Sequence, residues 1–86
     1  MNTIIERINE YCLSHGIRCS VKRNQVALLL ERTQQGMDAE QVWLQMKQEQ
    51  FRMSIGAVYL SLNWLVEAGF IQKTMMEDRK AVFTIV

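Results

Sequence analysis

At 86 residues, with 49% apolar and 22% charged side chains, the chain has the length of one domain and an ordinary globular composition, which excludes disorder and fibre. Ten basic against nine acidic residues leave a formal charge of +1, a sum that argues neither for nor against an acidic partner. No apolar run approaches the roughly 20 residues that span a bilayer, and the start of the chain, with Glu6 close to Met1, has no signal-peptide pattern.

Thr3 is placed to cap a first helix, and Glu6 three residues on completes a capping box. Ile4, Ile5, Ile8, Tyr11 and Cys12 then recur at helical spacing. Gly16 ends the helix, because glycine enters the left-handed cap conformation without steric cost. Ser20 opens a second helix whose stripe is Val21, Leu28 and Leu29, with Val26 and Leu30 beside it; Gln35 and Gly36 close it. Asp38 caps a third, with Gln41 three residues later and Val42, Trp43 and Met46 expected to face inward. Ser54 caps a fourth helix, predicted over 54–68, which carries Ile55, Val58, Leu62 and Leu65 as a buried stripe and stops at Gly69.

After Gly69 the period changes. Phe70 to Met76 is one extended run and Ala81 to Val86, rich in β-branched residues, is another. Glu77, Asp78, Arg79 and Lys80 form a polar turn between them, so the pair reads as a hairpin. A hairpin alone is marginal in water, and this one must dock an apolar side on the helices. The expected fold is α+β: a single domain over 1–86, three to four helices followed by a two-stranded β-hairpin, the outline of a winged helix-turn-helix.

Charge is unevenly distributed. Arg18, Lys22, Arg23, Arg52, Lys73, Arg79 and Lys80 lie in or beside turns or in the last third of the chain, whereas most acids fall on helices. If the fold gathers those cations, a nearly neutral protein acquires a basic face; the plain alternative is a mixed surface.

The segment SIGAVYLSLNWLVEAGFI, Ser54 to Ile71, resembles the recognition helix of the ferric uptake regulator family, which typically reads T-V-Y-R-x-L-x-x-L-x-x-x-G-L there. Upstream, Val21 to Met46 is similar to two further stretches of that family, with Arg23, Val26, Leu30, Asp38, Ala39 and Val42 in the matching places. The resemblance covers about residues 18–86, the family's N-terminal DNA-binding domain. It implies a bacterial, cytoplasmic DNA-binding regulator of transcription, with double-stranded DNA as partner and no membrane. Cys12 and Cys19, with no export signal, also fit reduced thiols in a cytoplasm.

Two departures stand out. The family's dimerisation and metal-binding half has no counterpart, and with one histidine, His15, and no C-x-x-C pair, the sequence offers no closed metal site, so no cofactor is expected. Where the family has T-V-Y-R, this chain has Ala57, Val58, Tyr59 and Leu60, and Ser54 to Val66 carries no charge. The arginine that the resemblance places on a DNA phosphate is a leucine.

The candidate DNA-contacting residues are therefore Arg23, Arg52, Ser54, Ala57, Tyr59, Asn63, Lys73, Arg79 and Lys80. Arg23 and Arg52 sit near helix starts, and Lys73, Arg79 and Lys80 in the wing, as phosphate contacts, although any single one of them is more often a solvated surface charge. Asn63 has the chemistry to reach an adenine edge, and the Ser54 hydroxyl at a helix N-terminus suits a phosphate. Tyr59 faces DNA by analogy or packs beside Val58. Leu60 and Trp64 are candidates for a partner interface, Trp64 also for the core.

Nothing resembles a nucleophile elbow, a phosphate-cradling glycine loop or a carboxylate pair with a histidine, so no enzyme is expected. Two readings remain. One is a small DNA-binding regulator or accessory factor, with helix 54–68 in the major groove and wing 71–86 on the backbone. The other is a winged helix repurposed for protein interaction, which modulates a regulator and has little or no DNA binding; beside DNA, the partners expected are a second copy of the chain or another regulator.

Overall fold

The computed structural model describes residues 3–86; Met1 and Asn2, part of the N-terminal stretch read above, lie outside the described residues. Four helices precede two strands: α1 (Ile4–His15), α2 (Val21–Thr33), α3 (Ala39–Gln48), α4 (Ile55–Glu67), β1 (Ile71–Met75) and β2 (Ala81–Ile85). The winged helix-turn-helix is thus formed by helices followed by an antiparallel hairpin.

Each helix begins where a short polar side chain can accept a free backbone N–H. Thr3 and Asp38 form complete capping boxes with Glu6 and Gln41. Ser20 accepts from the Arg23 N–H, and Ser54 from the Ala57 N–H. Gly16 closes α1 in the left-handed conformation, φ 64°.

The core lies where α4 crosses α2 and α3, with α1 packed against α2. Val58, Leu62 and Leu65 of α4 have no exposed surface, and Val26 and Val42 meet the same condition on α2 and α3. Each such side chain contributes roughly 1.5–3 kcal/mol of burial free energy. Ser61, which the apolar pattern passes over, completes the buried face of α4.

The apolar stripes shift at their ends. Ile55 is 38% exposed although it falls on the Val58–Leu62–Leu65 face, because it is the first residue of α4 and projects past the packed layer. Val21, first in α2, is 69% exposed, and Leu28 is only half-buried; the buried set is Val26, Ala27, Leu29 and Leu30. Helix α2 touches α1, α3, α4 and β2, so it buries a wide arc rather than one stripe. Trp43 is half-buried, while Val42 and Met46 point inward as expected.

Helix α2 ends at Thr33, earlier than Gln35 and Gly36 suggest. Gln34 takes the left-handed cap, φ 54°, with its N–H on the Leu30 carbonyl. Gly36 has a different duty: a Cβ there would overlap Val82 Cγ1 and lie 3.2 Å from Thr84 Cγ2. That close approach lets Met37 pair with Phe83, the Met37 N–H donating to the Phe83 carbonyl at 3.2 Å and the Phe83 N–H to the Met37 carbonyl at 2.9 Å. Met37 therefore adds a one-residue bridge to β2, outside the hairpin's own ladder.

Strands β1 and β2 pair from Ile71–Ile85 to Met75–Ala81. Ile71 and Phe83 are buried and dock the wing on the helices. At the tip, the Met76 N–H donates to the Lys80 carbonyl and the Arg79 N–H to the Met76 carbonyl, with Arg79 itself at φ 66°.

Candidate nucleic-acid interface

Because α4 buries Val58, Ser61, Leu62 and Leu65, its 3.6-residue period turns Gly56, Tyr59, Leu60, Asn63 and Glu67 outward. Tyr59 is 47% and Leu60 73% exposed. This outward face is uncharged until Glu67, so the cations around it decide its electrostatics.

They fall into three groups. Ahead of α4, Lys22, Lys47 and Arg52 converge on a groove of about 850 Å³ that Trp43, Gln50, Met53 and Ser54 complete; no acidic residue lines it. The Trp43 indole N–H donates to the Met53 carbonyl at 2.9 Å, which fastens the segment before α4 to α3. Lys47 Nζ sits 5.3 Å from the Trp43 ring centre. Arg52 and Ser54 are among the expected contacts, Lys22 among the cations expected to form a basic face but not among the contacts, and Lys47 in neither set. Lys47 had one local signal, a cation in the last helical turn, where it also complements the helix dipole.

On the wing side, Tyr59 lines a second hollow with Lys73, Arg79 and Lys80, so these four expected residues do come together. Here the cations meet acids: Asp38 and Glu40 share the hollow, and Lys80 Nζ lies 3.8 Å from Asp38 Oδ2. This side is less positive than the sequence suggests.

The third group is a shallow depression shared by Ala57, Leu60, Trp64 and Arg23. Arg23 is not a free arm. Its guanidinium carbon lies 3.7 Å from the Trp64 ring centre, and Nη2 donates to the Arg18 carbonyl at 3.2 Å and to Cys12 Sγ at 3.8 Å. Trp64 is half-buried, edge-on to Tyr11 and stacked with Phe70 at 6.3 Å. Asn63 is exposed and lines none of these hollows.

His15 stacks on Tyr11 at 4.0 Å, and its Nδ1 is 2.9 Å from the Tyr11 carbonyl oxygen. Among the described residues there is no group of three or more His, Cys, Asp or Glu placed to hold a metal ion. Nor is any helix there long and apolar enough to cross a membrane.

Comparison with known proteins places this geometry. The chain is 23% identical over 86 residues to the ferric uptake regulation protein of Rhizobium leguminosarum bv. viciae, matching all of this chain and 61% of that one. The Helicobacter pylori ferric uptake regulator superposes with a TM-score of 0.83 at 26% identity, over 95% of this chain and 55% of that chain. A zinc uptake regulator complexed with zinc and DNA superposes with a TM-score of 0.80 at 17% identity, over 96% of this chain and 53% of its own. The chain thus spans little more than half the length of the proteins it matches. The sequence pattern of the ferric uptake regulator family, a family of regulators rather than enzymes, matches residues 14–86, and the chain belongs to that family.

Proposed function

We propose that the chain binds double-stranded DNA as a small transcriptional regulator or accessory factor, with helix 54–68 in the major groove and wing 71–86 over the backbone. The observation that carries this reading is the acid-free groove at the start of α4, where Lys22, Lys47 and Arg52 meet the Ser54 cap. Cations beside a helix N-terminus form a phosphate-binding surface, since the N–H groups and the helix dipole add to their field. The DNA complex of a zinc uptake regulator with the same fold supports the reading.

In this docking Lys22, Lys47 and Arg52 hold one strand's phosphates, Arg79 reaches the backbone from the wing, and Tyr59 and Asn63 face the base edges. About four phosphate contacts by one copy give weak binding, with a log–log salt slope of roughly −0.9 per contact. A second copy, or another regulator, doubles the contacts on a two-fold site. A mobility-shift titration against mixed genomic duplex at two salt concentrations tests the proposal: retardation at low salt that collapses at high salt is expected.

One observation favours the protein-binding alternative. Leu60 is 73% exposed beside Ala57 and Trp64, an apolar patch where the family pattern has an arginine. If wild type shows no retardation at low salt and Leu60→Arg creates none, the DNA reading fails and the alternative stands.

A further inference from the structure

The DNA-facing reading makes no use of Cys12 and Cys19. Helix α1 turns back through Gly16, with the Ile17 N–H bonded to the Cys12 carbonyl at 2.8 Å. The reversal lays Cys19 along the helix just left: its Sγ is 3.5 Å from Asn9 Oδ1, and Asn9 lies one turn before Cys12 on the same helical face. Cys12 is buried and Cys19 exposed. Arg23 Nη2 joins the two ends of the loop, 3.8 Å from Cys12 Sγ and 3.2 Å from the carbonyl of Arg18, the residue before Cys19. The pKa of the exposed Cys19 thiol is raised, first by lost hydration and then by Cys12 beside it, against a lowering by Arg23.

We propose that Cys12 and Cys19 are a reactive dithiol that exchanges with low-molecular-weight disulfides to form an intramolecular Cys12–Cys19 disulfide. The Cys19 thiolate attacks one sulfur of RSSR, the S–S bond breaks, and RS⁻ leaves to take up the proton that Cys19 lost. Deprotonated Cys12 then attacks Cys19 Sγ of the mixed disulfide. The protein S–S bond forms, and the second RS⁻ leaves with the proton from Cys12. Two protein thiols and one RSSR thus become one protein disulfide and two RSH. The exposed cysteine meets the reagent, and the buried one has only to reach its neighbour. Closure also converts the Cys12 thiol to which Arg23 Nη2 donates, and so alters the cation resting on Trp64.

The test equilibrates the protein in buffers graded from reduced to oxidised glutathione, quenches with acid, alkylates, and weighs the intact chain. A monomer that accepts no alkyl group is expected at the oxidised end, with a change in Trp64 emission at the same midpoint. Cys19→Ser and Cys12→Ala each abolish both, and Trp64→Phe removes the emission change while leaving closure intact. Cys19→Ser alters an exposed position, so its result does not turn on misfolding. Three outcomes overturn the proposal: both thiols alkylating across the whole range, a disulfide-linked dimer as the sole product, or glutathione persisting on Cys19. None of these readouts involves DNA, so the result is independent of the nucleic-acid reading.

Discussion

Arg23 rests over Trp64, 3.7 Å from guanidinium carbon to indole centre, so a cation of α2 is engaged by a side chain of α4. Its Nη2 also reaches back to the loop after α1. Arg23→Ala should therefore lower stability by about 1–2 kcal/mol, the range for a partly desolvated cation–π contact, and thermal unfolding by circular dichroism measures it. Arg23→Lys should recover little, because an ammonium cannot stack and donate in the same plane. The salt slope of DNA binding should be unchanged in Arg23→Ala; a slope flattened by one contact would make Arg23 a phosphate ligand after all.

Gly36 faces Val82 with no room for a methyl group. Gly36→Ala is expected to cost about 1–3 kcal/mol, as overpacking usually does. Combining it with Val82→Ala should return part of that loss, a coupling that a double-mutant cycle of urea unfolding reports.

The groove before α4 predicts that Lys22→Ala, Lys47→Ala and Arg52→Ala each weaken binding about equally for all DNA sequences. Each should flatten the salt slope by about one contact's worth. An effect confined to one sequence would mean base readout instead.

On the outward face of α4 the expectation reverses. Tyr59→Ala should narrow the affinity gap between preferred and random duplexes with little change in salt slope, since Tyr59 stands toward the bases in the proposed docking. Leu60→Arg should strengthen binding and steepen the slope. Fluorescence anisotropy with two labelled duplexes separates these outcomes.

Arg79 carries both a charge and a left-handed backbone at the wing tip. A non-glycine residue there costs roughly 1 kcal/mol. Arg79→Gly should keep or raise the melting midpoint while weakening DNA binding, whereas Arg79→Ala should weaken binding without relieving the backbone. If the two variants melt alike, the strain at this residue is negligible.

The four helix starts were legible because capping is local: Thr3, Ser20, Asp38 and Ser54 each act within three residues. The stripe on α4 was legible from Val58 onward, but periodicity cannot tell where a helix outruns its neighbours, and so misplaced Ile55 and Val21. Gly36 looked like a helix stop because its reason, the side chain of Val82, lies far along the chain. The site suffered in the same way. Arg52 and Ser54 were visible beside α4, but Lys22 and Lys47 join them only once three elements fold together. Arg23 was found as a cation, yet no sequence pattern announces that Trp64 will lie under it.

The reciprocal Met37–Phe83 hydrogen bonds give the wing a mechanical consequence. A free hairpin would swing on its two ends, and its tip would search a wide arc before meeting a duplex. Pinned at mid-strand beside the start of α3, β2 turns with the helices as one lever. The span from Arg79 at the tip to α4 is thus set by the fold, and in the proposed docking groove width becomes a quantity to be gauged rather than accommodated.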